Sequence, residues 1–318
     1  MSSSPLSPYA EQHNKNATGA GAGRPTAIRI LEDNNLVQAW SEKVVLITGA
    51  TSGIGIETAR AMYATGAKVY LVVRNPAKMQ PIITVIVDSV KGGGGSEKIE
   101  VIQADLDSLG SVKNAAKEFL RKSSKLNVLI NNAGILACPP STTTDGYERQ
   151  LGVNYLAHFT LTTLLLPALQ ASSSPSCVSR PKSRPQTTST VCLYGSGSGS
   201  GSSSVRSFSL CPGGIWTNLQ VSVDASQIDQ WKADAETQRA MKSPAQGAAT
   251  SVWAAVGTAL EGRGGLYLAD CKVAGPLAGE AAAVHDGFGP DAYDPVREAR
   301  LWEMLHEIAA DRFPGFCM

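Results

Sequence analysis

Three glycines at a spacing suited to phosphate chemistry stand in Thr48-Gly49-Ala50-Thr51-Ser52-Gly53-Ile54-Gly55. Glycine lets backbone turn tightly and approach a ligand closely, and the N–H groups at a helix start can hold a pyrophosphate. The elements needed to position such a turn are legible on both sides. Val44 to Ile47 is an apolar run of strand length. Thr58 to Thr65 reads as helix, with Ala59, Met62 and Tyr63 at helical spacing, and Lys68 to Val73 reads as a second strand. A ligand-free glycine turn is the competing reading, and the strand–turn–helix context weighs against it.

The second strand ends at Arg74. In a dinucleotide-binding fold this position faces the adenosine ribose. An acid there would accept from the 2′-hydroxyl, whereas an arginine suits a 2′-phosphate. Arg74 therefore points to NADP rather than NAD, the alternative being a solvated arginine at a strand end.

The spacing Gly-x3-Gly-x-Gly, with a threonine before it, resembles that of the short-chain dehydrogenase/reductase family. Three more segments match in order. Asn131-Asn132-Ala133-Gly134 closes the apolar run Val128 to Ile130, Asn154 lies on the next helix, and Pro212-Gly213-Gly214 follows Val205 to Leu210. The resemblance runs from about Ala27 to Met318 and is nearest to retinol-dehydrogenase-like members and their fungal relatives. It implies a Rossmann-type, doubly wound α/β fold with a mostly parallel sheet in one domain. It further implies an NADP-dependent oxidoreductase acting on a small-molecule alcohol, ketone or aldehyde. The coenzyme contacts it implies are Gly49, Thr51, Ser52, Gly53, Ile54, Gly55, Arg74, Asp105, Leu106, Asn131, Ala133, Gly134, Pro212, Gly213 and Thr217. Asn154 takes a structural and catalytic part by the same resemblance. At Asp105-Leu106 the alternative is helix capping by the nearby Asp107 or Ser108.

The resemblance also calls for a tyrosine as proton partner, a lysine four residues later on the same helix face, and an earlier serine that orients the carbonyl. The lysine lowers the tyrosine's pKa towards working pH. The chain has eight tyrosines, and four residues after them stand His13, Ala67, Arg74, Leu151, Phe159, Ser198, Cys271 and Arg297. None is lysine. Where the motif belongs, Ala171 to Ser204 is a tract of 34 residues with 13 serines, 4 glycines and 3 prolines. That is a flexible-linker composition. Its one apolar fragment, Val191-Cys192-Leu193-Tyr194, makes Tyr194 a weak catalytic candidate, because a Gly-Ser tract does not hold a side chain rigidly. The tract is expected to be irregular and the sheet to lack a central strand. Three readings stay open: an active oxidoreductase by descent, a cofactor-binding pseudoenzyme, and an inactive product of mis-joined exons or a shifted frame.

Composition narrows the rest. At 318 residues, 43% hydrophobic, the chain can bury a large core, and a net charge of +1 gives no case for nucleic acid. Six cysteines show no metal-ligand spacing, so no metal is expected and the thiols suit a reducing compartment. No apolar run reaches membrane-spanning length, and a cytoplasmic protein is the default expectation. A homo-oligomer stays open, since the helix that usually forms the family's dimer interface has no counterpart. Residues 1–26, rich in small polar residues, are expected to form a disordered tail ahead of a domain over 27–318. His158, one turn after Asn154, is given no chemical role.

Overall fold

The computed structural model describes residues 4–15, 18–21, 23–92, 94–172, 190–195, 205–277 and 287–312. For 14, 15, 190–195, 290, 291, 311 and 312 it describes the backbone alone. Two short helices, Ala10–Lys15 (α1) and Ala27–Asp33 (α2), precede the first βα alternation. That alternation runs Val44–Thr48 (β1), Gly53–Ala64 (α3), Lys68–Val73 (β2), Met79–Ser89 (α4), Ile99–Gln103 (β3), Leu109–Lys122 (α5) and Val128–Asn131 (β4). Then come Arg149–Leu151 (α6), a π-helical turn over Gly152–Leu156, and Ala157–Ala171 (α7). Thr190–Gly195 (β5) and Val205–Cys211 (β6) follow, then Ala225–Ala233 (α8), Ala235–Ala240 (α9) and Pro244–Val256 (α10). Leu266–Ala269 (β7), Lys272–Val273 (β8), Gly275–Pro276 (β9), Gly287–Phe288 (β10) and Pro295–Arg312 (α11) complete the described chain.

The main sheet has the order β3-β2-β1-β4-β5-β6-β7-β8. β1, β2 and β4 are apolar on both sides because both of their faces are covered, as parallel strands require. Val45, Ile47, Val69, Leu71, Val128 and Ile130 point into one core, shared with α3, α4 and α10. Leu46, Tyr70, Val72 and Leu129 point into the other, shared with α5, α7 and Leu305 of α11. This is the doubly wound α/β domain the motifs imply, and the runs 44–47, 68–73, 128–130 and 205–210 read from the sequence are all strands within one residue of those bounds.

Two expectations are corrected. The tract 171–204 does not leave the sheet without a central strand. β5 occupies that place and pairs antiparallel with both neighbours, Val191 opposite Asn131 and Ser209, Tyr194 opposite Val128 and Arg206. The physical reason is that β4 and β6 would otherwise carry unpaired buried N–H and C=O groups. Val191-Cys192-Leu193-Tyr194 is the one β-favouring fragment in the tract. Nine residues separate Gly195 from Val205, too few for the crossover a parallel partner needs, so the pair closes as a hairpin. The rest of the tract, 173–189 and 196–204, lies outside the described residues.

Residues 1–26 are likewise not a free tail where they are described. Tyr9, His13 and Arg24 are buried. The Tyr9 hydroxyl donates to Asp33 at 3.0 Å, the Val273 N–H donates to the Leu6 carbonyl at 2.9 Å, and Arg24 donates to the carbonyls of Met241 and Arg239. A low average of apolar residues does not reveal these single anchors. Among the described residues no helix is long and apolar enough to cross a membrane.

A proline in the middle of β5 tests the central-strand assignment. Cys192 pairs with Ile130 on one side and Phe208 on the other. Cys192→Pro should cost at least about 1–3 kcal/mol through an orphaned ladder partner, read as a lowered thermal midpoint. An unchanged midpoint would contradict the pairing.

Candidate nucleotide site

The site is built where β1 ends and α3 begins. Gly49 and Gly53 sit at positive φ, 73° and 55°, which few residues but glycine adopt. Space is as limiting as conformation. A Cβ on Gly49 would lie 2.6 Å from Ala133 Cα, one on Gly53 2.8 Å from Thr217 Cγ2, and one on Gly55 2.2 Å from the Gly49 carbonyl. The glycines therefore let the end of β4 and the loop after β6 close against the turn. Ser52, the N-cap of the twelve-residue α3, makes no side-chain cap hydrogen bond. The first N–H groups of that helix keep their capacity for an anion, reinforced by the helix dipole. Free donors in a cradle with no room for side chains fit a pyrophosphate.

A hydrogen-bonded hub holds the cradle in shape. Thr48 Oγ1 accepts the N–H groups of Asn132 and Ala133, each at 3.0 Å. Its own proton then goes to His158 Nε2 at 3.0 Å, which leaves Nδ1 to donate to the Asn154 carbonyl at 2.9 Å. The Asn132 side chain donates to the carbonyls of Thr48 and Gly49. Asn154, on the π-helical turn, exchanges two 2.8 Å hydrogen bonds with the backbone of Ile135. Gly134 faces it, 3.6 Å separating a Cβ there from Asn154 Oδ1. The extra residue in a π turn shifts side chains around the helix, and such turns gather at functional positions. Asn131 donates to Thr162 at 3.0 Å, while its buried Oδ1 has no partner among the described residues.

The remaining expected residues take these places. Arg74 is exposed at the end of β2, with no ion pair among the described residues. Asp105 follows β3. Its carboxylate accepts the Asp107 N–H at 3.1 Å, and Ser108 caps α5. Leu106 packs on the core beneath α5. Ile54 and Ile215 both press on Gly247, at 3.1 and 2.8 Å from where its Cβ would be. The Thr217 hydroxyl caps the short helix Asn218–Ser222 and its methyl meets Gly53. Pro212 and Gly213 begin the same loop, with Gly213 at φ 92°. Tyr194 is not brought to this place. Its backbone sits opposite Val128, the first residue of β4, whereas the cradle lies beyond Asn131, the last.

Reasoning from sequence alone misses Thr48, Asn132 and His158 as contributors to the hub. Thr48 and Asn132 stand inside the quoted motifs, so their spacing is the available signal. For His158 only its position one turn after Asn154 points the same way.

His158 is fully buried, and burial pushes it down to about 4, so it is neutral at neutral pH. A histidine with a lowered folded value stabilises nothing extra above about 6.5 and destabilises the fold as pH falls from about 6.5 towards 4, because the unfolded chain binds the proton more readily. The full effect is on the order of 3 kcal/mol. On going from pH 7.5 to 4.5, His158→Gln should therefore lose less stability to urea than the wild type. Equal losses would show that His158 is not held neutral.

Comparison with known proteins accords with this architecture. The sequence pattern of the family described as short chain dehydrogenase matches residues 43–179. The short-chain dehydrogenase/reductase prx1 of Penicillium roqueforti is 40% identical, covering 90% of each chain. Human retinol dehydrogenase 11 is 33% identical, covering 73% of this chain and 78% of its own. In fold, the chain is similar to a short-chain type dehydrogenase/reductase from Mycobacterium marinum, with a TM-score of 0.54 at 18% identity over 74% of this chain and 96% of that one. With the glycine turn, the Asn-Asn-Ala-Gly segment and this extent of identity together, the chain belongs to the short-chain dehydrogenase/reductase family of NAD(P)-binding oxidoreductases, on its retinol-dehydrogenase-like side.

Proposed function

We propose that the protein binds NADP(H) in the glycine cradle and is by descent an oxidoreductase for the alcohol or carbonyl group of a small molecule. The observation that carries this reading is the cradle, where three glycines leave no room for side chains beside an uncapped helix start. When bound, the nicotinamide nucleotide supplies or accepts a hydride. The chain's residues bind and orient it. The α3 N–H groups would meet the pyrophosphate and the exposed Arg74 guanidinium a 2′-phosphate, while Asn154 and the Thr48–His158 hub would hold the cradle in shape. The name of the human relative, a retinol dehydrogenase, supports an alcohol as the substrate class.

A specific observation favours a second reading, coenzyme binding with little turnover. No tyrosine in the chain has a lysine four residues on. β5 also runs opposite to β4 and β6, which takes Tyr194 to the end of the strands away from the cradle. A missing general acid alone costs about 10²–10⁴-fold in rate, and poor orientation of the substrate adds to that.

Titration of NADPH and NADH into the wild type and Arg74→Ala tests the coenzyme. NADPH should bind more tightly to the wild type. The variant should lose about 1.5–3 kcal/mol for NADPH, the worth of a hydrogen bond to a charged group, and little for NADH. Equal wild-type affinities would remove the NADP assignment.

Turnover is tested by NADPH oxidation with a panel of aldehydes and ketones. We expect little, and none that depends on Tyr194. Robust turnover abolished by Tyr194→Phe would overturn the second reading and restore Tyr194 as the proton partner.

A further inference from the structure

Lys242 is buried, 4% of its side chain exposed, on the segment that leads into α10. A lysine that deep must be paired, since an ammonium taken out of water without partners is strongly disfavoured. It has two partners. Nζ donates to the Pro212 carbonyl at 2.9 Å and forms an ion pair with Asp270 Oδ1. Asp270 reaches it from the tight turn between β7 and β8, where Asp270 and Cys271 both have positive φ, 51° and 53°, a conformation that non-glycine residues rarely adopt. Thr250 Oγ1 accepts the Cys271 N–H at 3.2 Å and helps hold that turn. Burial by itself would raise the Asp270 carboxyl, but the Lys242 charge prevails and keeps it below the usual carboxylate range. Asp270 is therefore a carboxylate at neutral pH. His13 of the N-terminal segment lies 3.3 Å from the same Asp270 oxygen. Burial pushes His13 down to about 4, so it is a neutral neighbour, and Lys242 is the cation in direct contact.

The pair does more than neutralise itself. A Cβ on Gly213 would lie 2.7 Å from Lys242 Nζ and 2.8 Å from Cε, so the lysine fills the space that only a glycine leaves. The Lys242 N–H donates to the Gly214 carbonyl at 2.8 Å, and Lys242 and Ile215 form an isolated parallel bridge. Ile215 packs with Ile54 around Gly247, and two residues on the Thr217 methyl abuts Gly53. The contacts run without a gap from Asp270 through Lys242 and the loop 212–217 to the glycine turn.

We propose that Lys242 is a positioning residue for the nucleotide site, its ammonium anchored on Asp270 and holding the Pro212 carbonyl so that the loop 212–217 closes against Gly53 and Ile54. The inference rests on the reading of that cradle as a nucleotide site, and it accounts for a feature that stability leaves unexplained. A buried ion pair contributes little net stability compared with apolar side chains of the same volume. The contact that a replacement pair could not reproduce is the bond to Pro212.

The test uses the full chain with Lys242→Met and the double variant Lys242→Met/Asp270→Asn, read by thermal midpoint, amide hydrogen exchange at 213–217, and NADPH titration. Lys242→Met should lower the midpoint by taking the cation from a carboxylate that is only 21% exposed. The double variant should recover most of it, and it carries the test even if the single variant fails to fold. In the double variant the amides of 213–217 should still exchange faster, and NADPH should bind weaker, both on the order of tenfold, the loss of one hydrogen bond from a charged donor. Wild-type exchange in the double variant would show that Lys242 serves only as a counter-ion and would overturn the proposal. Absence of NADPH binding in the wild type would overturn the nucleotide reading instead, and the exchange comparison would still decide whether Lys242 holds the loop.

Discussion

Every N–H and C=O in the middle of a covered sheet needs a partner, and this requirement governs the architecture. β1 to β4 satisfy it in the usual parallel way, each strand joined to the next through a helix. Between β4 and β6 the chain offers a serine- and glycine-rich tract instead of a βα unit. The requirement is still met, by the six residues Thr190–Gly195, but with the strand reversed. Reversal is the geometric consequence of a nine-residue connection to β6. It keeps the two halves of the sheet in one body. It also exchanges the ends of that strand, so a residue near its C-terminus lies at the end of the sheet's strands remote from the cradle.

The nucleotide half is insulated from that irregularity. Thr48 closes β1 onto the end of β4 by accepting two backbone N–H groups, and His158 links the same hydroxyl to the π-helical turn that carries Asn154. These bonds involve no residue of the tract. The cradle is therefore organised by β1, α3, β4 and α7. Of the segments beyond the tract, the loop 212–217 touches it through Thr217, and Ile215 and Gly247 of α10 pack on Ile54.

That loop is set from behind by elements far apart in sequence. The N-terminal segment contributes Arg24, whose guanidinium holds the carbonyls on either side of Ala240, and Gln246 ties back to Gly21 and Arg24. β7 and β8 contribute Asp270. The loop 212–217 is thus backed by a buttress of largely buried polar groups, Arg24, Lys242 and Gln246 among them.

Local patterns in the chain determine much of this protein by themselves. Apolar runs of strand length and glycines at Gly49, Gly53 and Gly55 depend on neighbours in sequence, so they can be read directly, and with them the α/β class and the cradle. Two things are decided only by tertiary structure. Whether Val191 to Tyr194 forms a strand, and in which direction, depends on a vacancy between β4 and β6 that exists only once those strands are placed. Whether Tyr9, His13, Arg24, Lys242 and Asp270 face solvent or find partners depends on contacts between separate segments, as between Arg24 and Met241, 217 residues apart. A polar side chain carries no mark in sequence of the carbonyl or carboxylate that will satisfy it. Burial creates the need, and only the folded chain brings the partner.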